Sequence, residues 1–455
     1  MRLKNRLKNL FGNSLNYSRL HHILKDSDYK EILSKGFSYV LIRVLGILIS
    51  YAFTVYITKV FGASIFGLFS IAISIFMIVS VIGRLGLDIN LVKYYSVDKN
   101  IQDTGLFYRT LLKSFLLSTI ICVIIYFLRF YITNDLFNVP KPELIPYLNW
   151  ILLSIPFWSI TMICSSISRA QKDIKWFSFI SLVSRFLFSF IALFVLLSFI
   201  NNPIVAAKAH FYGILITSFI AIIHTSIKLK KITFKSRTSS WQFIQDSLPM
   251  MFSSSILIFL GWMDTFVMGV YETDHNVGIY NVCLKIATLT SFTLLAINSI
   301  LAPKIAKNYN ENNTQQYKRL IGFSTKLNFL VSSAVILVIL IFNKFLLSIF
   351  GEEFIEGSVI LYILCAGQMV NSFSGSVGII LQMIGKQKVY QNFVFAALLI
   401  NLVLTLIFTP IYGGIGAASA TVFSMAFWNL GSAIYLKKSL NIISYYNPFK
   451  SVHTN

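Results

Sequence analysis

Stretches of about 20 residues with almost no charge recur along the chain, and each is long enough to cross the roughly 30 Å hydrocarbon core of a bilayer as a helix. They fall near 36–58, 64–86, 107–131, 147–169, 176–199 and 204–226, and again near 245–270, 279–302, 322–344, 355–383, 389–409 and 413–436. Inside a bilayer no water can bond a bare backbone N–H or C=O, so only helices or a closed barrel satisfy every peptide group. The segments are too long for barrel strands and lack their alternation. The expected fold is therefore an all-α integral membrane protein with twelve transmembrane helices. Composition agrees, with 56% apolar and only 12% charged residues, a balance foreign to soluble domains.

The twelve stretches divide into two sets of six, an N-lobe over 36–226 and a C-lobe over 245–436, joined by a linker over 227–244. Weak internal repetition supports two related lobes in parallel orientation with a cavity between them. "GLFS" at Gly67 to Ser70 opens the second span and "GIYN" at Gly278 to Asn281 opens the eighth; a lysine, Lys93 or Lys304, follows each glycine 26 residues later. With the N-terminus inside, 31 of the 39 Lys and Arg fall in or beside the inner segments and 5 in the outer loops, the bias of the positive-inside rule. Both termini are expected in the cytoplasm. The basic tail over 1–35, with Leu3, Leu7, Leu10 and Leu15 between cations, suits either an interfacial helix on anionic lipid or a solvated tail. The C-tail runs over 437–455.

The net charge of +22 is thus mostly topogenic, and nothing calls for nucleic acid. Cys122, Cys164, Cys283 and Cys365 all lie inside spans without metal-ligand spacing and read as packing residues. No metalloprotease, phosphate-loop or nucleophile-elbow motif occurs, and "GGIGAAS" (413–419) opens a span rather than following a strand. No catalytic residue, metal or cofactor is expected. No soluble segment is long enough to house an ATPase or transferase domain, so any energy source is expected from outside the chain or from gradients.

Polar residues inside the spans mark the expected cavity. Arg43, Gly46, Ser50 and Thr54 share one face of the first span; Ser178, Ser181, Arg185 and Ser189 repeat the device in the fifth. Asn281, Lys285 and Thr288 do so in the eighth, and Gln368, Asn371 and Gln382 make the tenth too polar to face lipid. Asp264 is the one acid well inside a span, against the cations Arg43, Arg185 and Lys285. Asp264 and Lys285 each stand about 10 Å below the outer surface on neighbouring helices, at ~1.5 Å per residue. An ion pair locking that hairpin is the first expectation, and a role of Asp264 in substrate or ion coupling the second. An excess of buried cations suits a phosphate-bearing cargo, which guanidinium groups hold bidentately.

The segments "RVLGILISYAFTVYITKVFGASIFGLFSIAISI" (43–75), "GRLGLDINLVKYY" (83–95), "WMDTFVMGVYETDHNVGIYNVCLKIA" (262–287), "LAPKIAKNY" (301–309), "IFGEEF" (349–354) and "PIYGGIGAASAT" (410–421) carry a resemblance over nearly the whole chain. It resembles the Wzx-type oligosaccharide flippases of the MATE-like multidrug/oligosaccharidyl-lipid/polysaccharide exporter superfamily. The resemblance implies a V of two six-helix lobes and alternating access. The implied cargo is a polyprenyl-pyrophosphate-linked oligosaccharide (the O-antigen type), moved from the inner to the outer leaflet of a bacterial inner membrane. It further implies headgroup contacts from cations in the first and eighth spans, here Arg43 and Lys285, with Arg185 beside them. Sugar contacts would come from Ser50, Thr54, Asn281, Thr288, Gln368, Asn371 and Gln382. Membrane lipids, a polysaccharide polymerase and chain-length machinery are the implied partners. An ion-coupled multidrug-type exporter is the alternative, although Arg43 stands where such exporters usually carry an acid. A membrane polymerase or acyltransferase is a further alternative, but the outer loops are short and the outer histidines, His210 and His275, lack a catalytic setting.

Overall fold

The computed structural model describes residues 27–97, 103–236, 238–311 and 313–446, with side chains from residue 41 onward. Most of the basic N-terminal tail and the end of the C-tail lie outside the described residues. In order the helices are α1 (Ser27–Arg84), α2 (Leu87–Tyr95), α3 (Thr104–Tyr131), α4 (Leu144–Ala170), α5 (Ile174–Ser178), α6 (Ser184–Leu197), α7 (Val205–Leu229), α8 (Ser240–Tyr271), α9 (Asp274–Thr288), α10 (Ser291–Asn310), α11 (Thr314–Ile341), α12 (Asn343–Ser348), α13 (Ser358–Ser374), α14 (Val377–Met383) and α15 (Gln387–Leu440). No β-strand occurs among the described residues.

Nine helical segments among these residues are long and apolar enough to cross a membrane, ten with α9 and α10 taken as one span bent by 42°. Two of the nine are far too long for a single crossing: 44 residues of α1 and 54 of α15 correspond to about 65 and 80 Å at ~1.5 Å per residue. Each is two helices joined across a kink at a glycine, Gly62 (φ 79°) in α1 and Gly413 (φ 57°) in α15. Left-handed φ of this kind strains any residue with a Cβ. The first break falls between the expected spans 36–58 and 64–86, and the second at the first residue of 413–436, just after 389–409. The excess length thus accommodates the hairpins read from the sequence.

Helices of each half pack mainly on one another, α4 with α3 and α7 and α6 with α7 in the first, α15 with α8 and α13 in the second. The halves meet where α1 crosses α8 and α9. Glycine makes that crossing possible. A Cβ on Gly67 would stand 1.8 Å from the Asp274 carbonyl oxygen, and one on Gly278 would stand 2.1 Å from that of Ala63. The two glycines that open the repeated motifs are thus packed into the same crossing. Close backbone approach through small residues substitutes here for the hydrophobic drive that lipid removes.

The same end of the molecule, the one expected to face outward, carries polar ties between the halves. Lys141, only 3% exposed, donates to Asp274 Oδ1 at 2.6 Å and to the Glu272 carbonyl at 2.8 Å. The Asn138 N–H donates to the Val270 carbonyl at 2.9 Å, and the Ala63 N–H to Glu353 Oε1 at 2.7 Å. His275 stands 3.4 Å from Glu353 and 3.5 Å from Glu356. This end is closed by one buried ion pair, two backbone donors and the glycine crossing. Gly278→Ala should therefore force the backbones apart and destabilise the protein by about 1–3 kcal/mol, as overpacking does. A lowered melting temperature in detergent checks this; an unchanged one would show that the crossing has slack.

Candidate functional site: a cationic cavity between the halves

Helix α9 decides which side chains meet. Its buried residues, among them Ile279, Tyr280, Cys283, Ile286 and Ala287, face the protein core, whereas Asn281, Leu284, Lys285 and Thr288 form a half-buried stripe at i, i+3, i+4 and i+7. That stripe lines a cavity of about 270 Å³ between the halves. The first half contributes Ser50 and Thr54 from α1, Arg185 from α6 and His210 from α7, with Phe53, Phe66, Phe69 and Phe186 as apolar wall. Gly261 and Trp262 of α8 complete it.

Lys285 reaches across the divide. Its ammonium donates to the Ser50 carbonyl and hydroxyl, both at 3.1 Å, and to the Thr54 hydroxyl. It also lies 5.1 Å from the Tyr51 ring centre, while the Tyr51 hydroxyl donates to the Lys285 carbonyl. All three ammonium donors thus meet neutral oxygens. Asn281 is held by its own amide on the Val277 carbonyl and by the Thr265 hydroxyl.

Arg185 follows a π-helical turn over Phe179–Val183, the kind of local insertion that often re-aims a side chain at functional sites. The turn is pressed against α1, where a Cβ on Gly46 would meet the Leu182 carbonyl oxygen at 2.6 Å. The Arg185 guanidinium stacks near Phe186 (4.4 Å) and Trp158 (5.1 Å), and its Nη1 is buried without a hydrogen-bond partner. His210, 3% exposed and packed edge-on by Phe69 and Phe76, likewise leaves Nε2 unpartnered. Among the described residues no carboxylate bonds Arg185 or Lys285. Such a pocket offers charge and unused N–H donors to an anion.

Six of the sequence-expected residues therefore share one cavity: Ser50, Thr54, Arg185, Asn281, Lys285 and Thr288. Arg43 does not join them. It lines a separate cavity of about 200 Å³ with Asn298 and Ser299 of α10, about 10 Å along α1 from Ser50 at ~1.5 Å per residue. Gln368 is buried in helix packing, accepting from Ser291 at 3.0 Å and from Asn371 at 3.5 Å, so neither it nor Asn371 lines the cationic cavity. Gln382 lines a third cavity. His210, Ser70 and Trp262 were not expected in the wall. His210 is misjudged from sequence because it sits one turn inside α7, near an expected loop.

The expected Asp264–Lys285 ion pair does not form. Asp264, 3% exposed, accepts from Tyr280 at 3.2 Å, Thr405 at 3.1 Å and Thr421 at 2.5 Å, beside Asn401. Equal depth on adjacent helices fixes height but not azimuth: Tyr280, on the core face of α9, points to Asp264, while Lys285 points away to α1. The acid is satisfied inside the second half by hydroxyls from both arms of α15.

Residues 32–309, well over half the chain, match the family model described as "Polysaccharide biosynthesis protein". The chain belongs to this family. Residues 249–407 also match the MatE model. A protein of Haloferax volcanii described as a "probable low-salt glycan biosynthesis flippase", Agl15, is 27% identical over 231 residues, 50% of this chain and 48% of the relative, so the match spans about half of that protein. An uncharacterized membrane protein of Methanocaldococcus jannaschii is 23% identical over 74% of this chain and 70% of its own. Among solved structures, an inward-facing multidrug resistance MATE family transporter of the MOP superfamily superposes with a TM-score of 0.72 at 14% identity, covering 89% of this chain and 98% of the transporter. The lipid II flippase MurJ in an inward closed conformation also gives 0.72, at 17% identity over 89% and 88%. The fold is that of these transporters, and the protein is a multi-pass membrane protein of the polysaccharide biosynthesis protein family.

Because Asp264 and Lys285 share no hydrogen-bond partner, their truncations should be independent. In a double-mutant cycle of Asp264→Ala and Lys285→Ala, read by thermal unfolding, the effects should add within about 0.5 kcal/mol. A coupling of about 2 kcal/mol or more would restore the ion pair.

Proposed function

We propose that this protein is a flippase that moves a polyprenyl-pyrophosphate-linked oligosaccharide from the inner to the outer leaflet of the cytoplasmic membrane, for surface polysaccharide synthesis. The observation that carries the reading is the cavity in which Arg185 and Lys285 converge without a carboxylate. A buried cation is costly in a membrane and is kept where it serves a function, and the cargo class handled in polysaccharide export is anionic at its headgroup. Arg185 supplies an unused fork donor, Lys285 a point charge that can exchange Ser50 and Thr54 oxygens for phosphate oxygens. In the bacterial setting suggested by the sequence resemblance, this is the inner membrane, and the delivered glycan would meet a polymerase at the outer face.

Alternating access then proceeds between lobes 36–226 and 245–436. On this reading the ties of Lys141, Ala63 and Asn138 close the end taken as outer, while at the other end Asn90 of α2 donates to the Phe243 carbonyl and to Ser247 of α8. Opening outward requires Lys141 to leave Asp274, at a cost that cargo binding must help offset. A headgroup carrying negative charge runs downhill outward in an inside-negative membrane, worth roughly 2.3 kcal/mol per charge per 100 mV.

A second reading, ion-coupled transport, has one observation in its favour: the Asp264 carboxylate sits in a buried cluster of hydroxyl oxygens that suits a small cation as well as a structural network. Liposomes separate the two. Flipping of a defined lipid-linked oligosaccharide should accelerate with an inside-negative potential and ignore sodium and proton gradients. A steep gradient dependence that Asp264→Asn removes would favour coupling instead.

Arg185→Ala and Lys285→Ala should each slow flipping about ten- to a hundredfold, the loss of one charged hydrogen bond of ~1.5–3 kcal/mol, with folding intact. Arg185→Lys should recover part of the rate, since the fork is lost but the charge stays. Wild-type rates in both alanine variants would remove the headgroup from this cavity.

A further inference from the structure

A second polar cavity, of about 210 Å³, lies between α8, α14 and α15. Ser253 of α8, Gln382 at the end of α14, and Gln387, Tyr390 and Gln391 on the first turns of α15 form its polar wall. No charged side chain lines it. Gln382 and Gln387 are exposed and Gln391 is half-buried, and among the described residues no protein group donates to or accepts from their side chains. Each carboxamide therefore presents two N–H donors and an acceptor oxygen to whatever occupies the space.

Its position ties it to the cationic cavity. Ser253 and Leu257 in its wall and Gly261 in the wall of the cationic cavity follow one another at i, i+4 and i+8 on α8. One stripe of one helix thus borders both spaces, about 12 Å apart at ~1.5 Å per residue. Gln387 and Gln391, at i and i+4, face that stripe from α15. The ends of α14 and the start of α15 lie on the side taken as cytoplasmic, so this cavity sits between the headgroup site and the inner mouth.

We propose that this carboxamide cluster is a glycan subsite, reading neutral sugar units of an oligosaccharide whose phosphate end is held at Arg185 and Lys285; it rests on the headgroup reading above. Sugars present dense, alternating hydroxyl donors and acceptors, which uncharged carboxamides match in either direction. An anion would find no cation in this wall, and a hydrocarbon chain would cover the amides without bonding them. The subsite makes the cavity pair a ruler: the charged end is gripped generally, and the glycan is sensed beyond it.

The test uses the full-length protein in liposomes and two probes: polyprenyl pyrophosphate bearing a single N-acetylhexosamine, and the same carrier bearing a neutral tetrasaccharide. Wild type should move the tetrasaccharide carrier preferentially. The double variant Gln387→Ala/Gln391→Ala should slow the tetrasaccharide carrier roughly tenfold, the scale of a few neutral hydrogen bonds, and leave the monosaccharide carrier unchanged. Equal loss for both probes, or no loss for either, would overturn the subsite. Loss of co-purifying phospholipid with unchanged discrimination would assign the cavity to a lipid headgroup instead and equally overturn it. Failure of wild type to move either probe would overturn the flippase reading first, and Gln387→Glu/Gln391→Glu, with matched melting temperature, guards against a folding defect by retaining shape while adding charge that neutral sugar should tolerate poorly.

Discussion

An ammonium group held between two halves of a membrane protein by oxygens that carry no charge is the constraint around which the rest is arranged. Lys285 can sit inside the bilayer only if its three donors are met, and Ser50 and Thr54 of the opposite half meet them. That requires α1 and α9 to run close together, which in turn requires Gly67 and Gly278 where the backbones cross. The crossing is reinforced beyond its end by Lys141, whose charge is compensated directly by Asp274. Two lysines thus bridge the same pair of halves by different chemistry. One is paired with a carboxylate and locks; the other meets only neutral oxygens.

The lock and the cavity pull on the same elements. Asp274 is both the acid that pairs with Lys141 and the first residue of α9, whose carbonyl presses on Gly67. Two turns further along, the same helix presents Asn281 and Lys285 to the cavity. A rigid α9 therefore cannot shift at its paired end without moving the cationic stripe. Similar economy holds for α15, whose break at Gly413 brings Thr405 from one arm and Thr421 from the other onto a single carboxylate, Asp264.

The sequence is most legible where one-dimensional periodicity carries the physics. Apolar run length gives the spans, and polar residues at helical spacing give the cavity residues of α1 and α9 and Arg185 of α6. The sequence is silent on rotation. Asp264 and Lys285 are correctly matched in depth, yet side chains five residues apart on α9, Tyr280 and Lys285, point to opposite surroundings. The tenth span shows the same limit: Gln368 is polar because it bonds Ser291 in helix packing, not because it meets cargo. Burial of His210 likewise depends on Phe69 and Phe76, residues of another helix whose approach no local pattern encodes.

Keeping the acid away from the cation is itself functional on the proposed reading. Two unit charges 4 Å apart attract by about 4 kcal/mol at an effective dielectric of 20, close to a thousandfold in affinity. A carboxylate paired with Lys285 would compete with phosphate by that amount and cancel one of the cavity's two cations. Serine and threonine oxygens orient the ammonium without cancelling its field, so an arriving phosphate gains most of the attraction. Asp264 can still contribute a buried network to the second half because Tyr280, Thr405 and Thr421 satisfy it on the far side of α9. The division of α9 into a core face, whose Tyr280 serves the acid of α8, and a cavity face that carries Lys285 lets one short helix contact both groups without letting them meet.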